Sequence, residues 1–485
     1  MVSSALKALT FGQVDSESET DLDKLFVRTG DFDSFASDSV WLALGAKGTG
    51  KSALFELFTR FESTTRSLTG AAMKDVIVAA GTGFGDLSEV ATGDIQQLRD
   101  SESNFDHDRL WRLYIAIKAG LALDKDFKIP KGPLKDLLRA LHERKDLRVG
   151  PLLKEMWEIA VGSAPSSVTI TAGGASIALQ GGSRALDVVT LLSDVNTALQ
   201  DKGKRVWLLF DKIDEIWPSD RAERKRALEG LLTAAMHIRR TFPAIQPKVL
   251  LRADLWTELD LTNKDHLTDK RIELNWKSPQ LTTLLLKRAL ASAEVRQYVE
   301  DRKPALINKA VEELSIEDRE DALVTIFPGQ VYTGQREAKT PAWIAERVVD
   351  GRGTVLPRDA INLANAAARA ERDRGGESTG TLLSRESVRE GFTKASEVRC
   401  ESFLAEFPDL RDHFRRFAGQ QTSEFSRDAL LSLMADLEPS GDDLLERLYE
   451  IGVVAPDTKK VLTATSYSVP RLYRTGLGLV IRGRP

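Results

Sequence analysis

The chain has 485 residues, 42% hydrophobic and 29% charged, enough apolar material for two to four packed domains. Its 68 Lys and Arg stand against 72 Asp and Glu, a formal net charge of −4, which excludes a protein that holds nucleic acid by bulk charge. A single cysteine, Cys400, excludes an internal disulfide framework and a cysteine-rich zinc site, and five histidines without paired spacing argue against a histidine metal site.

No run approaches about 18 apolar residues, so no membrane span is expected. Met1 to Gln13 lacks the apolar run of a signal peptide, and the expected location is the cytoplasm. Charge is unevenly laid out: eight acids lie between Asp15 and Asp38, and six basic residues without an acid lie between Lys459 and Pro485. Both stretches can be read as solvated surfaces or as contact surfaces.

In chain order, Ser39–Leu44 is a short apolar run ending in glycine and predicts a buried strand; Ser52–Phe61 predicts the helix that follows it. Asp75–Ala80 predicts another buried strand. Asp106–Ala122 and Pro133–Ile159 carry helical periodicity. Val168–Leu179 alternates on both sides of Gly173–Gly174, a hairpin pattern. Ala185–Gln200 predicts a helix, Arg205–Phe210 and Pro247–Leu251 two more buried strands, and Arg221–Thr241 a long basic helix between them. Strands alternating with helices imply a mostly parallel sheet covered on both faces.

Beyond Pro279 the pattern turns helical, over Gln280–Tyr298, Asn308–Leu314, Ala342–Val349, Pro357–Arg372 and Ser384–Leu404. A last segment begins near Phe407. Helices are expected at Arg427–Leu437 and Asp442–Ile451, then strands at Val453–Val454, Val461–Thr465 and Gly478–Ile481. Two helices followed by a β-hairpin is the order of a winged helix.

Gly45-Ala46-Lys47-Gly48-Thr49-Gly50-Lys51-Ser52 fits G-x-x-x-x-G-K-[ST] at every required position. Glycines let such a loop wrap closely, so that backbone N–H groups point at phosphate oxygens, and the helix that follows adds its positive end. Gly45, Lys47, Gly48, Thr49, Gly50, Lys51, Ser52 and Ala53 are therefore the candidate nucleotide-binding residues. Lys51 would reach the β- and γ-phosphates of ATP, and the Ser52 hydroxyl would ligate Mg2+.

A phosphate loop needs a carboxylate at the tip of a nearby strand to hold the metal. The run Arg205–Asp211 supplies Asp211 as the second metal-side residue. Asp214 and Glu215 follow as candidates to polarise the attacking water. Lys51 and Asp211 are 160 residues apart, so an insertion must lie between them, over about 93–183. At the tip of the next strand, Arg252 could sense the γ-phosphate, could serve a neighbouring subunit, or could simply pair with Asp254 or Asp211.

GAKGTGKSAL, WLLFDKIDEIW, VLLRADLW and LPRDAINLANAA, in this order, resemble bacterial P-loop ATPases of the AAA+/STAND type that recur among phage-defence proteins. The resemblance implies an α/β P-loop NTPase core over 1–278 with a helical insertion, a helical lid over 279–405 and a winged-helix domain over 406–485. It further implies ATP and Mg2+ as cofactors, a homo-oligomer, and a nucleotide-dependent assembly or signalling switch in antiviral defence with a separate effector protein. Relatives usually carry two successive acids where this chain has Asp211-Lys212, which shifts the expected base to Asp214 or Glu215. Pro357-Arg358-Asp359 stands where such proteins place a lid arginine over the phosphates, and Arg358 is the candidate. The alternatives are a DNA-bound initiator- or loader-like ATPase working through the winged helix, or a non-catalytic nucleotide-binding scaffold. For DNA, the basic tail Lys459, Lys460, Arg471, Arg474, Arg482 and Arg484, interleaved with Tyr467 and Tyr473, would supply phosphate contacts and stacking.

Overall fold

The computed structural model describes residues 2–81, 106–127, 135, 167–172, 175–180, 188–215, 221–262, 264–376 and 380–479. The expected helix Pro133–Ile159, most of the insertion, Arg482 and Arg484 lie outside the described residues. Contacts divide the chain into two compact units. One comprises Gly30–Gly45 and Lys51–Glu273; the other comprises Met1–Thr29, Ala46–Gly50 and Leu274–Pro485. Residues 2–29 thus group with the C-terminal half in this division.

The first unit is built on strands β1 (Leu42–Gly45), β2 (Val76–Ala80), β5 (Arg205–Phe210), β6 (Ile245–Arg252) and β7 (Arg271–Glu273), in the order β2-β5-β6-β1-β7. Every pairing is parallel. β1, β5 and β6 lie inside the sheet, which is why they read as unbroken apolar runs rather than alternations. β7 escaped the sequence reading because Arg-Ile-Glu carries one apolar side chain at a sheet edge. The hairpin β3 (Ser167–Ala172) and β4 (Ala175–Gln180) pairs antiparallel in the expected register, Val168 opposite Leu179.

Helix His107–Asp126 begins where Asp106 accepts hydrogen bonds from the backbone N–H groups of Asp108 and Arg109, a standard N-cap. It packs closely on helix Arg221–Thr241. A Cβ on Gly230 would meet the His107 Cβ at 2.6 Å, and Trp111 Nε1 donates to the Ala227 carbonyl at 2.8 Å. Trp111, Tyr114 and Phe210 then form a buried aromatic cluster against the sheet.

Deep in this unit, Lys248 of β6 is fully buried. Its ammonium donates to the carbonyls of Phe35 (2.8 Å), Ser37 (2.7 Å) and Val40 (2.7 Å). It also lies 4.7 Å from the Phe35 ring centroid and 4.3 Å from that of Trp207. Burial pulls its pKa well below the lysine value, while the carbonyls and rings favour the cation.

The second unit contains two apolar clusters. Helices Ser278–Ala289, Ala293–Glu300, Ile316–Ile326, Thr340–Arg347, Pro357–Asp373 and Arg385–Glu406 surround the first, which also takes in Ala5, Leu6, Leu9 and Phe11. The N-terminal segment is tied down by a bracket: Phe11 N–H donates to Asn365 Oδ1 at 2.9 Å, and Asn365 Nδ2 donates to the Gly12 carbonyl at 3.0 Å. The expected helix Gln280–Tyr298 is two helices, because the Ser292 side chain caps a new start by accepting from Val295 N–H. The expected helix Asn308–Leu314 reduces to one 3-10 turn, Val311–Glu313, and a helix not foreseen follows it at Ile316–Ile326.

The second cluster belongs to a winged helix. Helix Arg411–Arg416 is followed by β8 (Glu424–Ser426), helices Arg427–Leu433 and Gly441–Glu450, β9 (Ala455–Pro456), a connecting loop and β10 (Ser466–Ser468). β10 lies between β8 and β9 and is antiparallel to both, with Tyr467 opposite Phe425 and Pro456. The three strands differ from those expected. Val453–Val454 lies just before β9; Val461–Thr463 is a 3-10 turn in the wing; Gly478 and Leu479 are not strand. Cys400 is buried here. Its thiol faces the Tyr473 carbonyl at 3.7 Å, and burial pushes its pKa up to about 12.

Candidate functional site

The phosphate loop leaves β1 at Gly45 and enters helix Lys51–Thr59. Gly48 (φ 91°) and Gly50 (φ 102°) adopt the left-handed backbone that side chains disfavour, so the motif's glycines are conformational requirements. Thr49 is buried, and its hydroxyl donates to the Ala46 carbonyl at 2.8 Å, closing the turn on itself.

Within the first unit, the sequence candidates converge. The Lys51 ammonium donates to the Gly45 carbonyl at 2.8 Å. Its pKa is lowered by burial and partly restored by Asp211, Asp214 and Asp254, against the opposing charge of Arg252. Asp211 ends the buried run of β5 and is 5% exposed. Its carboxyl is pushed up by burial, while a hydrogen bond from Ser52 and the charge of Lys51 pull it back. A hydroxyl and a carboxylate meeting beside a lysine at the base of a phosphate loop form a donor set that fits Mg2+, which takes few protein ligands and completes its shell with phosphates and water. Ser52 and Asp211 would hold that ion; it would neutralise phosphate charge.

The remaining candidates divide. Asp214 is half-buried and lies 3.6 Å from Arg252 Nη1. Glu215 is exposed on the 3-10 turn Ile213–Glu215. Lys212, between Asp211 and this turn, is exposed and has φ 55°, a left-handed residue that reverses the chain out of the strand. Arg252 is bound bidentately by Asp254, at 3.0 and 2.7 Å. Arg252 thus pairs with Asp254, a partner the sequence reading allowed, and with Asp214, which sequence reasoning did not name.

Within the second unit, residues 46–50 meet the helical and winged-helix regions. Arg358 N–H points at the Gly48 carbonyl at 3.4 Å, and a Cβ on Gly48 would stand 3.1 Å from Arg358 Cβ. Pro357 opens this helix without needing a hydrogen-bond acceptor, so Arg358 stands in the first turn, against the loop. Two further grips on the loop were not foreseen. Trp276 Nε1 donates to the Thr49 carbonyl at 2.9 Å. Lys47 Nζ pairs with Glu406 at 3.3 Å. Both partners are hundreds of residues from the loop in sequence, and neither lies in a motif.

The described part of the basic tail divides between core and surface. Tyr467 and Tyr473 are 1% and 0% exposed, so neither can stack on a base. Arg471 pairs with Glu346 at 2.9 Å, and Arg474 donates to the Val469 carbonyl at 2.7 Å. Lys459 and Lys460 are exposed on the wing, with Leu462 beside them. The helix Gly441–Glu450 turns Leu444, Leu445 and Leu448 inward and shows Asp442, Asp443 and Glu446 to solvent.

The sheet, its loop and the winged helix together define an α/β P-loop NTPase fold, a parallel sheet followed by a helical region and a winged helix. The chain is similar, distantly, to a Walker-type ATPase of Pyrococcus abyssi: 14% identity over 91% of each chain, TM-score 0.40. The ORC2 protein of Aeropyrum pernix is 14% identical over 91% of this chain and 88% of its own, TM-score 0.39. Cdc6p of Pyrobaculum aerophilum is 13% identical over 90% and 86%, TM-score 0.30. No protein-family model and no curated protein matches the chain. No helix among the described residues is long and apolar enough to cross a membrane.

Proposed function

We propose that this chain binds and hydrolyses ATP with Mg2+, and that its nucleotide state governs a DNA-engaging, initiator- or loader-like activity. The observation that carries the first half is the meeting of Lys51, Ser52 and Asp211 at the base of the loop. Lys51 and the loop N–H groups bind and orient the phosphates. Ser52 and Asp211 hold the metal. Asp214 or Glu215 orients the attacking water, and Arg252 and Arg358 respond to the γ-phosphate. Assembly into a homo-oligomer is part of the same reading. ATP turnover measured with and without Mg2+, and by light scattering for size, tests it. Asp214→Asn and Glu215→Gln are expected to bind ATP normally, with one of them losing turnover. Normal turnover in both removes the water-activating role from this turn.

The second half rests on the wing. Exposed Lys459 and Lys460 suit phosphate contacts, whereas the acidic helix Gly441–Glu450 is repelled by a groove. We therefore assign DNA contact to the wing and not to the helix. Reversing both lysines to Glu should abolish duplex binding at low salt and leave ATP binding intact. Unchanged DNA affinity in that variant rejects the assignment.

A further inference from the structure

Three residues of the phosphate loop, themselves part of the second unit, are gripped within it, and the grips differ in kind. Gly48 and Thr49 are held through their carbonyls, by Arg358 N–H and Trp276 Nε1. Lys47 is held through its charge, by Glu406 at 3.3 Å. A carbonyl hydrogen bond is indifferent to an anion arriving on the loop. An ammonium beside the incoming phosphates is not, because a triphosphate competes directly for it.

The partner's position gives this competition a consequence. Glu406 is the last residue of helix Arg385–Glu406, and its side chain is 3% exposed against 41% for Lys47. Phe403 and Phe407, on either side of it, are core residues of the winged helix. Phe403 stacks on Phe414, with centroids 4.1 Å apart. Glu406 thus stands where the helix becomes the winged-helix domain. It also carries a buried negative charge next to a loop built for anions, a charge that Lys47 neutralises.

Glu406 has a second cation at hand. Arg399, two turns earlier on the same helix, is buried and hydrogen-bonded to Tyr473 Oη at 3.2 Å. Burial opposes its charge, but Tyr473, Asp359 and Glu406 outweigh that and hold it firmly protonated. Losing Lys47 would therefore not leave Glu406 as an isolated buried charge, the costly outcome that would otherwise forbid the exchange.

We infer that Glu406 is a positioning residue for the phosphate loop. It latches Lys47 in the nucleotide-free protein, and a bound triphosphate takes Lys47 over and loosens the junction between helix Arg385–Glu406 and the winged helix. This rests on the phosphate-loop reading of Gly45–Ser52 and adds to it a route by which nucleotide reaches the DNA-facing domain. The coupling is reciprocal: whatever favours the loosened junction also favours nucleotide.

The test uses the full chain. MgATP affinity is measured with a fluorescent ATP analogue, and amide hydrogen exchange is followed over Phe403–Leu410 with and without saturating non-hydrolysable analogue. In wild type, nucleotide should speed exchange there. Glu406→Gln should bind nucleotide about five-fold tighter and show fast exchange already without it, with no further response. Lys47→Met breaks the same pair from the solvent side, for use if Glu406→Gln does not fold. It should bind nucleotide more weakly, since the triphosphate then has no Lys47 ammonium to take over, and should also lose the exchange response. Wild-type exchange unmoved by nucleotide, or a Glu406→Gln affinity equal to wild type, overturns the latch. Lys51→Ala separates the two readings: if it binds nucleotide as wild type does, the phosphate-loop assignment itself fails and the latch with it.

Discussion

Two lysines of the same unit, Lys51 and Lys248, show how one side chain serves two ends. Both lie in the sheet region, and burial lowers the pKa of both. Lys248 spends its three N–H groups on three backbone carbonyls and lies against two aromatic rings. Those partners cannot move without unfolding β1 and its approach, so its charge is consumed by the fold. Lys51 gives a hydrogen bond to the Gly45 carbonyl, but the charges around it are carboxylates and an arginine at strand tips. Such partners can be exchanged for phosphate and metal. A buried lysine answered by the backbone is a rivet; one answered by side chains is available to a ligand.

The sharpest way to break this contrast is to remove each amine. Lys248→Met leaves three buried carbonyls without donors and should cost about 3 kcal/mol or more in chemical denaturation. Whatever fraction folds should bind ATP normally. Lys51→Ala should do the reverse, weakening MgATP binding by about 100-fold with little change in the denaturation midpoint. If Lys248→Met were as stable as wild type, the rivet reading would be wrong.

A smaller effect sharpens the comparison from the carboxylate side. Asp211 has a folded pKa above its unfolded 3.8, chiefly because it is buried. The folded state therefore holds this proton more tightly. The resulting stability is fully present below pH 3.8 and is lost as pH rises through the folded value. At neutral pH the buried carboxylate is a cost carried for the metal. Asp211→Asn should stabilise the nucleotide-free protein by about 1 kcal/mol in thermal melts at pH 7, flatten its acid-side stability profile, and abolish Mg-dependent turnover. A destabilised Asp211→Asn would show that the charge is needed by the fold instead. The smallest effect expected is that of Glu215→Gln on stability, since the change keeps the shape of an exposed side chain; its melting temperature should stay within about 1 °C of wild type.

What could be read in advance follows the physics of each pattern. The loop motif was legible because Gly48 and Gly50 answer to backbone angles that few other residues tolerate. β5 was legible because a strand buried on both faces must be apolar throughout. The winged-helix order was legible from its two helices, but its strands were displaced. β8, β9 and β10 are two or three residues long, too short to show a period. The aromatic-and-basic tail misled because composition does not encode burial. Tyr467 and Tyr473 alternate with arginines in sequence, yet their rings fill the core while Lys459 and Lys460 carry charge outward on the wing. The grips of Trp276 and Glu406 on the loop were invisible, since nothing local distinguishes them from any other tryptophan or helix-terminal glutamate.

The buried thiol of Cys400 has a practical reach beyond its packing. It is the sole cysteine of the chain, and with its pKa pushed up to about 12 it forms almost no thiolate at neutral pH, so alkylating reagents pass it by. The natural protein is accordingly a ready background for site-directed spectroscopy. A cysteine introduced at an exposed position such as Lys459 or Asp443 would be the only one to take a spin or fluorescent label. The wing and the acidic helix can then be watched separately while nucleotide is added, with no native residue first removed.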